Sequence, residues 1–147
     1  MQDVVGCRII VDAVIEQEEI ARRVMIRFPN TRVVDRRLNP SFGYRALHLV
    51  IHWNDSPYEV QVRTKLQHAW AEVVERLSDR EYPDLKYGKA DGVLPRALMR
   101  LSETIREIEE TEHAVSTEPE TSETRELAAR SSRTRASILD ILDELGA

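Results

Sequence analysis

A chain of 147 residues, 41% of them hydrophobic, can bury one core of ordinary size but not two. Its single cysteine, Cys7, rules out an internal disulfide, and no Cys/His set has zinc spacing. No apolar run approaches the roughly 20 residues of a membrane-spanning helix, and the Met1–Val5 start lacks a basic n-region, so a cytoplasmic protein with no membrane partner is expected.

The net charge of -5 is unevenly spread. Residues 1–63 hold nine basic against eight acidic side chains, and residues 64–147 hold twelve against eighteen. All nine front-half cations are arginine, whose planar fork suits phosphate oxygens. A pI near 5.4 argues against general nucleic-acid coating but allows a focused phosphate site.

In chain order, the β-branched run Val4–Val14 predicts a strand, and Ile20, Val24 and Phe28 at helical spacing predict a helix over Glu16–Phe28 ended by Pro29. Thr31–Asp35, Arg45–Trp53 and Tyr58–Arg63 are further strands, the last two joined by a turn at Asn54–Pro57. At Thr64 the apolar period changes from two to 3.6. Thr64 and Gln67 fit a capping box, followed by Leu66, Ala69, Trp70, Val73, Val74 and Leu77 on one helical face, expected to lie across the sheet. Residues 79–93 read as a loop. Leu94, Leu98, Leu101, Ile105 and Ile108 form a seam for helix packing, on the core or on a second subunit. Ser116–Glu123 reads as a solvated linker, and Thr124–Leu145 as a last helix with Ile138, Ile141, Leu142 and Leu145 on one side. The fold class expected is α+β, with a mixed sheet of about four strands, flanking helices and a helical tail. The divisions are a core over 1–80, a loop over 81–93 and C-terminal helices over 94–147.

Alternation places Glu59, Gln61 and Arg63 on one face of their strand, opposite Tyr58, Val60 and Val62. On the neighbouring strand Tyr44, Ala46 and His48 share a face, and Leu47, Leu49, Ile51 and Trp53 form an apolar one. A hairpin thereby gathers an aromatic ring, an imidazole, a carboxylate and an amide on one surface. Each also has an ordinary structural reading: Tyr44 as packing, His48 and His68 as strand and helix-surface histidines, Arg8 as a carboxylate's partner.

The local spelling goes further. Asp3-Val4-Val5-Gly6-Cys7-Arg8-Ile9, then Asn39-Pro40-Ser41-Phe42-Gly43-Tyr44-Arg45-Ala46-Leu47-His48, then Glu59-Val60-Gln61-Val62-Arg63-Thr64 with His68-Ala69-Trp70-Ala71, resemble three successive motifs of the RelA/SpoT synthetase domain. The resemblance covers roughly residues 2–78. It implies a nucleotidyltransferase-like fold and transfer of pyrophosphate from ATP to the 3'-hydroxyl of GDP or GTP, giving (p)ppGpp, the chemistry of a GTP pyrophosphokinase. It implies Mg²⁺ held by Asp3 and Glu59, Glu59 also orienting or deprotonating the acceptor hydroxyl. Tyr44 would stack the guanine, His48, Gln61 and His68 would complete the acceptor pocket, and Arg8, Arg37 and Arg45 would meet phosphates.

The family's ATP-binding segment lies upstream of the first aspartate, whereas this chain starts two residues before Asp3 and has no lysine before Lys65. An incomplete ATP site is therefore the expectation. Phe42 stands where many members carry a small or polar residue, and Gly6 would have to mark a bulge if Asp3 and Arg8 shared a face within one strand. Three alternatives accompany the synthetase reading: a guanine-nucleotide-binding module without turnover, a toxin-type member acting on the tRNA 3' end, suggested by Asp35-Arg36-Arg37, and an α+β interaction domain with no ligand.

Overall fold

In the computed structural model, residues 5–54, 56–80, 82–88 and 91–146 are described. Four strands, β1 (Val5–Val11), β2 (Arg32–Asp35), β3 (Leu47–Trp53) and β4 (Ser56–Thr64), and four helices, α1 (Val14–Arg27), α2 (Lys65–Arg80), α3 (Val93–Thr117) and α4 (Ser122–Gly146), make an α+β fold. The sheet order is β1-β4-β3-β2. β1 runs parallel to β4 from Val5 opposite Tyr58 to Val11 opposite Thr64, and the other two pairings are antiparallel.

The strands fall where the β-branched runs predict, with shifted ends. β1 stops at Val11 rather than reaching Val14, because the Glu16 carboxylate accepts the backbone N–H groups of Asp12 (2.7 Å) and Ala13 (3.2 Å) and starts α1 there. Val14 and Ile15, strand-like by composition, are thus drawn into the first turn of a helix. The β1–β4 register is continuous, so Gly6 marks no bulge. Thr64 and Gln67 form the expected capping box, with Gln67 N–H donating to Thr64 Oγ1 (3.2 Å) and Thr64 N–H to Gln67 Oε1 (3.3 Å). The loop after α2 contains a single 3₁₀ turn, Leu85–Tyr87, whose Leu85 is buried. The linker between the last two helices is shorter than Ser116–Glu123, since α3 runs to Thr117 and reciprocal Thr121–Thr124 hydrogen bonds start α4 at Ser122.

Two hydrophobic clusters result. One face of the sheet packs Leu47, Leu49 and Val62 against Ala21 of α1, with Ile9, Val11, Ile20, Val24 and Val60 around them. The other cluster lies among α2, α3 and α4 and holds Leu66, Trp70, Val73, Leu98, Ile105, Ile108, Ile138 and Leu142. Trp70 therefore sits in the helical cluster, its indole N–H donating to Leu98 O (2.9 Å), and not across the sheet. Leu98, Ile105 and Ile108 of the expected seam are buried within the chain itself. On α4, Ile138 and Leu142 are buried while Ile141 and Leu145 stay about half exposed, because 3.6-residue geometry swings these two out of the contact. Among the described residues no helix is long and apolar enough to cross a membrane.

Candidate active site

With α1 covering the apolar face, the opposite face of the sheet carries the polar side chains of β4. Its partners on that face follow from register: Gly6, Arg8 and Ile10 of β1 lie beside Glu59, Gln61 and Arg63, and His48 of β3 lies beside Gln61. Tyr44 reaches it from the turn before β3. That turn is closed by paired Ser41–Tyr44 backbone hydrogen bonds (3.0 and 3.3 Å) and passes through positive φ at Phe42 (52°) and Gly43 (85°).

Five side chains then close a ring of hydrogen bonds. Tyr44 Oη lies 3.1 Å from His48 Nε2, and His48 Nδ1 lies 2.7 Å from Glu59 Oε1. Gln61 Nε2 donates to Glu59 Oε2 (3.1 Å), and Arg63 Nη2 donates to both Gln61 Oε1 (3.3 Å) and Tyr44 Oη (3.0 Å). The Arg63 guanidinium also lies over the Tyr44 ring, 4.8 Å from its centroid. Burial alone would raise the Glu59 carboxyl, but the His48 and Gln61 hydrogen bonds outweigh it and hold it below the ordinary carboxylate value. The result is an ionised, partly exposed carboxylate with two fixed donors.

Beside the ring, Arg8 pairs with Glu72 of α2 at 3.4 Å, and His68 Nδ1 lies 3.9 Å from the same carboxylate. Burial pushes the His68 imidazole down; Glu72 works against this, while the neighbouring Arg63 and Arg8 add to it. His68 is thus neutral at neutral pH. A cavity of about 260 Å³ opens between the Ser41–Tyr44 turn and α2, with Phe42, Tyr44, Trp70, Val74 and Glu75 in its wall.

The structure brings together Tyr44, His48, Glu59 and Gln61, with Arg8 and His68 adjacent, and leaves the other two arginines apart. Arg37 is held by Asp35 (2.7 Å) and Glu18 (3.5 Å) on the α1 side of the sheet. Arg45 is buried, its Nε donating to Ser102 (3.0 Å) and its Nη2 to Glu103 (2.6 Å), so it ties the turn to α3. Asp3 lies outside the described residues. Arg63 is the member that the sequence reading left out of the site, although its parity with Glu59 and Gln61 pointed there. Among the described residues no group of three or more His, Cys, Asp or Glu side chains could hold a metal ion. Glu59 alone, ionised and with unused lone pairs on both oxygens, suits Mg²⁺, which takes one or two carboxylates and fills its remaining positions with water and phosphate.

Comparisons with known proteins give the family and the fold. Residues 1–82 match the profile of the region found in RelA/SpoT proteins. Uncharacterized proteins of Mycobacterium tuberculosis and Mycobacterium bovis are 34% identical over 109 residues, covering 69% of this chain and 40% of theirs. The chain thus spans about 40% of the length of these curated relatives. Among solved structures, small alarmone synthetase 2 of Bacillus subtilis superimposes with a TM-score of 0.59 at 20% identity, over 78% of this chain and 65% of that one. Small alarmone synthetase 1 of the same organism, bound to its product pppGpp, gives 0.58 at 23% identity, over 79% and 63%. At these identities the likeness is one of fold, whereas the profile covers more than half of the chain: this chain belongs to the family defined by the RelA/SpoT region.

Proposed function

We propose that this chain carries the acceptor side of a pyrophosphoryl transfer from ATP to the 3'-hydroxyl of a guanine nucleotide. The observation that carries the reading is the closed Tyr44–His48–Glu59–Gln61–Arg63 ring, which presents an ionised carboxylate beside an aromatic plate on an open sheet face. Arg63 covers one side of Tyr44, so the base stacks on the side that lines the cavity beside α2. There the Glu75 carboxylate can accept the adjacent N–H groups of a guanine edge. Arg8 and the neutral His68 meet phosphate oxygens, while Arg37 and Arg45, committed to internal partners, are left out.

Glu59 accepts a hydrogen bond from the 3'-hydroxyl and directs its lone pair at the β-phosphorus of ATP. A carboxylate held below its ordinary value is a weak base, so the proton moves to it only as the O3'–P bond forms and the bond to the departing AMP breaks. Mg²⁺, held by Glu59 and by the Asp3 expected from sequence, would neutralise the crowded phosphate oxygens.

The test incubates the purified chain with ATP labelled in its terminal phosphates, Mg²⁺, and GDP, GTP or tRNA. Label on GDP or GTP, lost in Glu59→Gln, is the expected outcome. Label on tRNA alone changes the acceptor. No label, with GDP binding that Tyr44→Ala abolishes, makes the chain a nucleotide-binding module, and neither label nor binding ends the reading.

A further inference from the structure

The turn that presents Tyr44 has positive φ at both central residues, Phe42 and Gly43. Such turns favour asparagine, aspartate or glycine at the first of these positions, and a bulky aromatic there strains the backbone. Burial does not explain its presence, because Phe42 is 53% exposed. What the ring does touch is Gly88, on which it lies so closely that an added Cβ would fall on Phe42 Cδ1, Cε1 and Cγ. Gly88 comes there in left-handed backbone (φ 66°), as the residue that ends the 3₁₀ turn Leu85–Tyr87, and its N–H donates to Leu85 O (3.2 Å). Leu85 is buried and, with Phe42 and Tyr44, lines the cavity beside α2. That cavity thus has three walls, the Ser41–Tyr44 turn, α2 and the 3₁₀ turn, and the Phe42–Gly88 contact joins the first to the third.

We propose that Phe42, seated on Gly88, is a binding residue for the acceptor base, and that the Leu85–Gly88 turn is part of the acceptor site. Half exposed and yet in the cavity wall, the ring stands at the rim, where a flat apolar surface suits a planar base and offers no hydrogen bond to phosphate. Gly88 acts through the ring: its bare Cα lets Phe42 lie against the 3₁₀ turn and close that side of the cavity. The proposal rests on the guanine-nucleotide reading of the site but extends it past residues 1–82, which match the family profile.

The test is calorimetric titration of GDP and GTP into the full chain, with each variant checked for folding by thermal melting. Phe42→Ala is expected to weaken binding about 2- to 10-fold, equally for both nucleotides since they share the base. Gly88→Asn adds a Cβ in a backbone conformation that asparagine tolerates, so it displaces the ring and should weaken binding to a similar extent. In the double variant Phe42→Ala/Gly88→Asn no further loss is expected, because the ring that the Cβ would displace is gone. Additive losses overturn the proposal, as does a loss confined to one nucleotide. If Gly88→Asn does not fold, Phe42→Ala decides alone. GDP binding that Tyr44→Ala abolishes and folded Phe42→Ala leaves unchanged overturns this proposal and spares the guanine-nucleotide reading, whereas no GDP or GTP binding in the wild type overturns both.

Discussion

Gly43 shows how much of the site rests on one backbone position. Its φ of 85° belongs to the left-handed side that side chains disfavour, and a Cβ there would lie 2.7 Å from Trp70 Cζ2. Gly43→Ala is therefore expected to cost about 1–3 kcal/mol of stability and to shift Tyr44, weakening guanine-nucleotide binding more than the stability loss explains. A urea melt paired with calorimetric titration of GDP checks both. Single residues also show what the sequence could tell. Period-two parity was enough to put His48, Glu59 and Gln61 on one surface, since strand geometry fixes the face from spacing alone. Arg63 had the same parity, but its role depends on lying over Tyr44, a contact made by a turn whose shape spacing does not specify. The resemblance implies Arg37 and Arg45 as phosphate ligands, but local spelling does not reveal which internal partners a charge meets in the fold. Their partners, Glu18 of α1 and Ser102 and Glu103 of α3, are supplied by the tertiary fold.

At the junction of elements, Glu109 of α3 is buried against the start of α2. Its carboxylate accepts from Thr64 Oγ1 and from Gln67 Nε2 (2.7 Å), and Gln67 Oε1 accepts from Gln17 of α1 (2.9 Å). Burial raises the Glu109 carboxyl above its ordinary 4.5; the Thr64 and Gln67 hydrogen bonds and Arg135 of α4 oppose this, and Glu112 adds to it. A raised carboxyl binds its proton more tightly when folded, so its contribution is complete below pH 4.5 and is lost as pH rises through the folded value. Glu109→Gln, which keeps an acceptor and removes the charge, is expected to abolish that decline. A gain in stability relative to wild type at neutral pH is the expected outcome, read from melts across a pH series. The capping pair Thr64–Gln67 was legible in the sequence, being three residues apart. Glu109 was not, because an acidic residue among many on α3 carries no mark of the helix it will meet.

At the scale of the whole molecule, the two clusters divide the labour: sheet and α1 build the floor of the site, and the helical cluster supplies the wall beside Tyr44. Leu142 of α4 is 1% exposed in that second cluster. Leu142→Ala is expected to cost about 2–5 kcal/mol and to loosen the cavity beside α2 while leaving the sheet-face residues in place, as thermal melting and GDP titration would show. The seam from Leu94 to Ile108 was readable as a packing surface from its spacing, but its partner was not, because a periodic apolar stripe is equally suited to a neighbouring helix or another chain. The pairing of β1 with β4 has a kinetic side as well. β2, β3 and β4 form a meander closed by short-range contacts, whereas β1 must add to β4 across all of the chain between them, an expensive loop to close. The strand that carries Glu59, Gln61 and Arg63 is thus expected to be an edge strand early in folding and to become an interior one only when β1 arrives, so that Arg8 joins this polar face as its last member.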